Sequence, residues 1–258
     1  MNLSFPALLL LSFLAAAAVP PCLPAQSTDA VPADAEHLLT MTNQARAADN
    51  LGPLHWDAAL ADAAHRHAAL MVEHAALSHQ FADEPTIPAR AAQAGAHFAA
   101  IAENIALGPN AVTIQKEWMQ SVQHRTNILD PKMDAIGIGL LRAPNGELYA
   151  VEDFAQTVDS LSPAAAEARV IALLRQNGIA AASSTQDARQ TCEMAHGTAG
   201  GSQPAFVMRW QGADLSRLPD VLVQHMRTGH FRSAAVGACD SAHPPAGFTT
   251  YRVAVLLY

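Results

Sequence analysis

EWMQSVQHRTNIL (117–129), followed by IGIGLL (136–141), PNGE (144–147) and LYAVEDFAQ (148–156), is the stretch whose reading sets the fold class. Its start predicts a helix over 111–120 that presents Val112 and Trp118. The two apolar runs behind it flank Asn145-Gly146, and Asn-Gly between such runs is among the strongest short-range hairpin signals. A helix followed by antiparallel strands predicts an α+β layered domain. Side chains alternate along a strand, so Glu152 and Asp153 point to opposite faces and at most one looks into a given cleft.

Working outward, Leu38, Met41 or Thr42, and Ala45 recur at helical spacing over 35–48, and Asn50-Leu51-Gly52-Pro53 stops the pattern. Asp57 is placed to cap a second helix running to about residue 76, with Leu60, Ala64, His67, Met71 and Ala75 on one stripe. His67 and His74 share that stripe around Met71, a spacing that suits a metal but is more often core packing. Pro85 and Pro88 precede a short helix at 89–93 that Gly95 ends. Downstream, 157–162 reads as a linker, Ser162-Pro163 starts a helix ending at Gly178, and Pro219 starts another that Gly229 stops. Strands are expected at 205–211, 232–239 and 249–258, giving a small α/β module over 158–258. No internal repeat is visible.

The chain opens with an apolar run from Phe5 to Val19 and a small-residue exit at Leu23-Pro24-Ala25, which reads as a cleaved secretory signal over 1–25. The run is shorter than the ~20 residues a spanning helix needs, so no transmembrane anchor is expected after cleavage. Cys22 is expected to leave with the signal, and the mature chain to be secreted or periplasmic. Cys192 and Cys239 then remain, either as one disulfide tying a helix-side segment to a strand or as two buried thiols; export favours the disulfide. A net charge of −8 without any basic run argues against a nucleic-acid partner. Five per cent aromatic residues argue against an extended stacking platform for sugars or bases.

Seven segments stand in order: NQAR (43–46), GPLHWDAAL (52–60), LSH (77–79), AENIA (102–106), EWMQSVQHRTNIL, IGIG (136–139) and VEDFAQ (151–156). Together they resemble a bacterial-type CAP domain, the cysteine-rich secretory protein, antigen five and pathogenesis-related (SCP-like) family, over residues 36–157. The resemblance implies a three-layer α-β-α sandwich with a cleft lined by His79, Glu103 and His124. Larger members carry a second glutamate three residues after the tryptophan; here that position is Ser121, and the glycine that often precedes the cavity histidine is Gln123.

Taken as residues alone, two histidines and a carboxylate from three segments are a donor set that zinc accepts with one position left for water. They equally suit a hydrogen-bonded polar cleft that needs no cofactor. Ser121 is placed to cap the helix holding His124, whose imidazole the positive helix end would keep neutral. No HExxH and no GxSxG occurs, although Ser121, a histidine and Glu103 can be drawn as a triad. The leading expectation is an exported binding module, more a binder than an enzyme, whose cleft holds a small, lipid-like ligand or a divalent metal. The alternatives are a metal-assisted or serine-type hydrolase using the same cleft and a structural cell-envelope protein.

Overall fold

A computed structural model describes Met1, residues 33–240 and residues 247–258. The expected signal segment, apart from Met1, lies outside the described residues, and so does Cys22. The described chain from residue 33 onward belongs to one compact unit containing two four-stranded sheets.

The first sheet is built from β1 (His55–Trp56), β2 (Phe98–Gly108), β3 (Ala135–Arg142) and β4 (Leu148–Thr157), in the order β1-β3-β4-β2. β1 runs parallel to β3, and the other pairings are antiparallel. One face is covered by α2 (Ala58–His74) and α3 (Ile87–Gln93), the other by α1 (Ala33–Ala48), α4 (Ala111–Gln120) and α5 (Val122–Ile128). This is the three-layer α-β-α sandwich.

Local chemistry sets the boundaries. Asp57 caps α2 by accepting from the Leu60 amide at 2.9 Å, and Ala75, at φ 48°, ends it one residue before the expected stop. Asn110 caps α4 in the same way. Gly146, at φ 88°, closes the hairpin turn at the expected dipeptide. On α4 the expected Val112 is exposed; Ile114 and Gln115 are buried with Trp118, because they lie one helical turn behind it and Val112 does not.

Alternation in IGIG has a packing reason. Ile136 and Ile138 enter the core against α1 and α4, while Gly137 and Gly139 face α2. A Cβ at Gly137 would lie 2.1 Å from the Ala61 nitrogen, and one at Gly139 2.3 Å from the Ala64 carbonyl carbon. The helix backbone therefore rests directly on the strand.

The second sheet comprises β5 (Ala181–Ser184), β6 (Phe206–Gly212), β7 (Ser233–Cys239) and β8 (Tyr251–Leu257), with α6 (Pro163–Gln176), α7 (Gln186–Glu193) and α8 (Asp220–Thr228). Its main core joins α6 and α8 to one sheet face through Val170, Leu174, Leu222, Val236, Val253 and Val255. Cys192 of α7 and Cys239 of β7 form a disulfide. Among the described residues no helix is long and apolar enough to cross a membrane.

Two outcomes follow from this packing. Gly137→Ala is expected to cost about 1–3 kcal/mol or more in urea unfolding, because backbone must move, whereas Gly52→Ala, with open space around it, stays within about 0.5 kcal/mol. Cys192→Ala/Cys239→Ala is expected to lose up to ~4 kcal/mol for a crosslink spanning 47 residues, read by the same unfolding.

Candidate functional site

α2, the loop behind it, α3 and the middle of β2 and β4 converge on one polar layer. β2 pairs with β4 so that Glu103 stands opposite Asp153, and β4 pairs with β3 so that Asp153 stands opposite Gly137. Both acids thus share the face that α2 covers. Glu152, one residue away, turns to the other face and accepts from the Thr42 hydroxyl at 2.8 Å.

His67, fully buried on α2, clamps the loop: one ring nitrogen meets the Ser78 carbonyl at 2.8 Å and the other a Glu84 carboxylate oxygen at 2.7 Å. Arg90 of α3 donates to the His79 carbonyl at 3.2 Å and to Glu103 Oε2, with Glu84 3.8 Å away. The second Glu103 oxygen meets His79 Nδ1 at 2.7 Å. That contact fixes the tautomer: Nδ1–H donates to the carboxylate, and Nε2 keeps its lone pair. The His79 side chain is 51% exposed. Glu103 is buried beneath it, so the imidazole is oriented from below and open above.

His124 is located from β2. Asn104 donates to the His124 carbonyl at 3.2 Å, and Asn127 donates to the Glu103 carbonyl at 3.2 Å and to Asn104 Oδ1 at 2.9 Å, tying α5 to the strand. Burial and then the nearby His79 lower the His124 pKa; burial and then the Arg90 charge lower that of His79. Both shifts favour the neutral imidazole. His67 is lowered for the same two reasons, opposed by its hydrogen bond with Glu84. Burial pushes the Asp153 carboxyl up to about 7 against the opposing Arg90 charge, and both its oxygens lack a hydrogen-bond partner among the described residues.

The structure therefore joins His79 directly to Glu103 and sets His124 within electrostatic range of His79. It treats Ser121 differently from the expectation. Ser121 occupies the N-cap position of α5, but its hydroxyl makes no cap hydrogen bond, and among the described residues it makes none with either imidazole. The cap contact is the Arg125 amide on the Ser121 carbonyl, at 2.9 Å. The three residues also do not fit zinc as they stand. Both Glu103 oxygens are engaged, one by a guanidinium that repels a cation, and two imidazoles alone fall short of the three protein ligands of an open zinc site. Among the described residues no group of three or more His, Cys, Asp or Glu is arranged to hold a metal ion.

Helical spacing favours packing for His67, and no spacing or motif marks Glu84, Arg90, Asn104 or Asn127 as a site residue. One signal was available, since alternation allowed only one of Glu152 and Asp153 to share the cleft face. The missing piece was the register that makes it Asp153.

The family model described as "Cysteine-rich secretory protein family" (CAP) matches residues 39–154. Among solved structures, the chain is similar to an extracellular protein containing an SCP domain from Bacillus anthracis, with 26% identity, a TM-score of 0.44, and coverage of 47% of this chain and 40% of that one. It is similar to an outer surface protein from Borrelia burgdorferi at 22% identity and TM-score 0.46, covering 48% of this chain and 93% of that one. A cysteine-rich secretory protein from Staphylococcus aureus gives 21% identity and TM-score 0.40, covering 50% and 41%. This chain thus spans well under two thirds of the Bacillus and Staphylococcus proteins. No curated protein matches it. The matched segment and the three-layer sandwich coincide: residues 39–154, a little under half of the chain, match the CAP domain of the cysteine-rich secretory protein family.

Proposed function

We propose that this is an exported binding module whose cleft takes a small amphiphile, its polar group accepted by His79 Nε2 and its apolar part lying on the cleft rim. The observation that carries the reading is the pairing of an oriented, neutral, outward-facing imidazole with exposed apolar neighbours. Leu77 is 48% exposed two residues before His79, and Val122 is 70% exposed two residues before His124. A neutral Nε2 accepts a hydrogen bond, so the polar group is a donor such as a hydroxyl or a protonated acid. The disulfide suits export, because such bonds persist in oxidising compartments.

A hydrolytic reading draws on one observation, the carboxylate–imidazole pair, which is how a general base is held. It lacks a nucleophile, since the Ser121 hydroxyl is bonded to neither histidine. Water would have to serve.

Equilibrium dialysis of the oxidised protein with 1-dodecanol is expected to show saturable binding of one molecule per chain. Leu77→Ser/Val122→Ser is expected to weaken it about tenfold or more, as loss of buried apolar surface requires. No saturable uptake would remove the reading. Turnover of p-nitrophenyl esters that His79→Ala abolishes would favour the hydrolase instead.

The buried acid adds a pH signature. The folded pKa of Asp153 lies above its usual value, so its protonated form is stable at low pH and stability falls as pH rises from about 4 through about 7. Asp153→Asn removes that loss. In denaturant titrations the variant is expected to gain roughly 2–4 kcal/mol on the parent between pH 4 and pH 8. Parallel pH profiles for the two would contradict the placement of this carboxyl.

A further inference from the structure

Residues 163–258 repeat the architecture of the first sandwich. With α3 and α5 set aside, residues 33–157 run α-β-α-β-α-β-β; residues 163–258 run α6-β5-α7-β6-α8-β7-β8, the same series. Each sheet orders its strands first, third, fourth, second. In each the first strand is parallel to the third and the other pairings are antiparallel.

The correspondence extends to single atoms. The N-cap of the second helix is Asp57 in one and Thr185 in the other, each accepting from the amide three residues on. The Asp57 amide donates to the Ile136 carbonyl at 2.9 Å, and the Thr185 amide to the Val236 carbonyl at 3.3 Å. The next residue is a glycine in both. A Cβ on Gly137 would lie 2.1 Å from the nitrogen four residues past the cap, Ala61, and a Cβ on Gly237 would lie 2.1 Å from the equivalent nitrogen, Arg189. Two residues further along each strand, Gly139 touches Ala64, seven past its cap, while Cys239 is bridged to Cys192, seven past its own. The disulfide stands where the first sandwich has its second close contact.

Register then carries the comparison to the cleft. Gly137 pairs with Asp153 and Asp153 with Glu103; Gly237 pairs with Ala254 and Ala254 with Arg209. Arg209 therefore occupies the place of Glu103, and Ala254 that of Asp153. Each strand position ties down the loop behind its second helix, by different means. Glu103 holds that loop through the His79 ring. Arg209 holds its loop through backbone alone, donating to the Thr191 carbonyl at 2.7 Å and to the Gly197 carbonyl, while Ala199 donates to the Thr191 hydroxyl at 2.9 Å.

We propose that residues 163–258 are a second, reduced copy of the CAP-like sandwich, in which the acid–imidazole corner has been replaced by an arginine staple, so that the cleft chemistry is present once per chain. This rests on the placement of His79 and Glu103, not on what the cleft binds. Arg209 is a positioning residue for the loop at 194–201.

Hydrogen exchange of the oxidised full chain tests it, read together with thermal unfolding. Arg209→Gln is expected to speed exchange at amides 195–199 about tenfold or more while amides 76–84 keep their rates; Arg209→Lys serves if the glutamine variant does not fold. Gly237→Ala is expected to lower Tm by roughly 4 °C or more, in the manner of Gly137→Ala. Unchanged exchange at 195–199 in Arg209→Gln, or an unchanged Tm in Gly237→Ala, overturns the equivalence. Failure of 1-dodecanol to bind leaves both measurements, and hence this proposal, unaffected.

Discussion

The first sandwich depends on α2 resting its backbone on β3, a contact that only residues without a Cβ allow. Gly137 and Gly139 remove the side chains that would hold the layers apart, and Ile136 and Ile138 turn the strand's bulk toward the opposite layer. The asymmetry of one strand thus sets the spacing of both helical layers. Because α2 sits so low, His67 on its underside reaches the loop that follows and fixes Ser78 and Glu84. His79 follows in that loop, where its carbonyl accepts from Arg90 and its ring meets Glu103.

Beneath the helix lies a concentration of buried charge that would be unfavourable unless closely matched. The Arg90 guanidinium stands among Glu84, Glu103 and Asp153, with His67 completing the set. One cation cannot balance three carboxylates in a low-dielectric layer, and burial pushes the least compensated acid, Asp153, up to about 7. Removing one member of such a layer leaves the others unpaired, which costs far more than the net contribution of any single pair. Orientation is what the layer delivers: Glu103, anchored by Arg90 through one oxygen, holds His79 Nδ1 with the other.

Much of this was legible from the residues, and the illegible parts share causes. The helix caps, the Asn-Gly turn and the order of segments carry local signals that tertiary context did not override. β2 gave no such signal: FAAIAENIALG is alanine-rich and buried on both faces for much of its length, so it lacks the alternation that marks a strand. His67 was read as packing because its polar partners arrive from a loop whose course no periodicity fixes. The repeat was invisible for a related reason. The positions that make the first copy recognisable, His79, Glu103 and Asp153, are those the second copy has replaced, while what persists is a cap, a glycine and a strand order.

The second sheet also bears on the first through an edge. β2, which carries Glu103, is the outermost strand of its sheet, and an uncovered edge is free to pair with another chain. Its first residue is met by the segment leading into β8: the Thr249 amide donates to the Phe98 carbonyl at 3.1 Å, the Phe98 amide donates to the Thr249 hydroxyl at 3.2 Å, and the Phe248 ring packs edge-on against Phe98 with centroids 5.3 Å apart. This two-bond exchange extends the ladder by one residue and stops there. It closes the start of the strand without adding a full partner, and it leaves the middle, where Glu103 and the Asn127 contact lie, to α5. The segment leading into the second sheet thereby guards the start of the strand that carries Glu103, through Phe248 and Thr249.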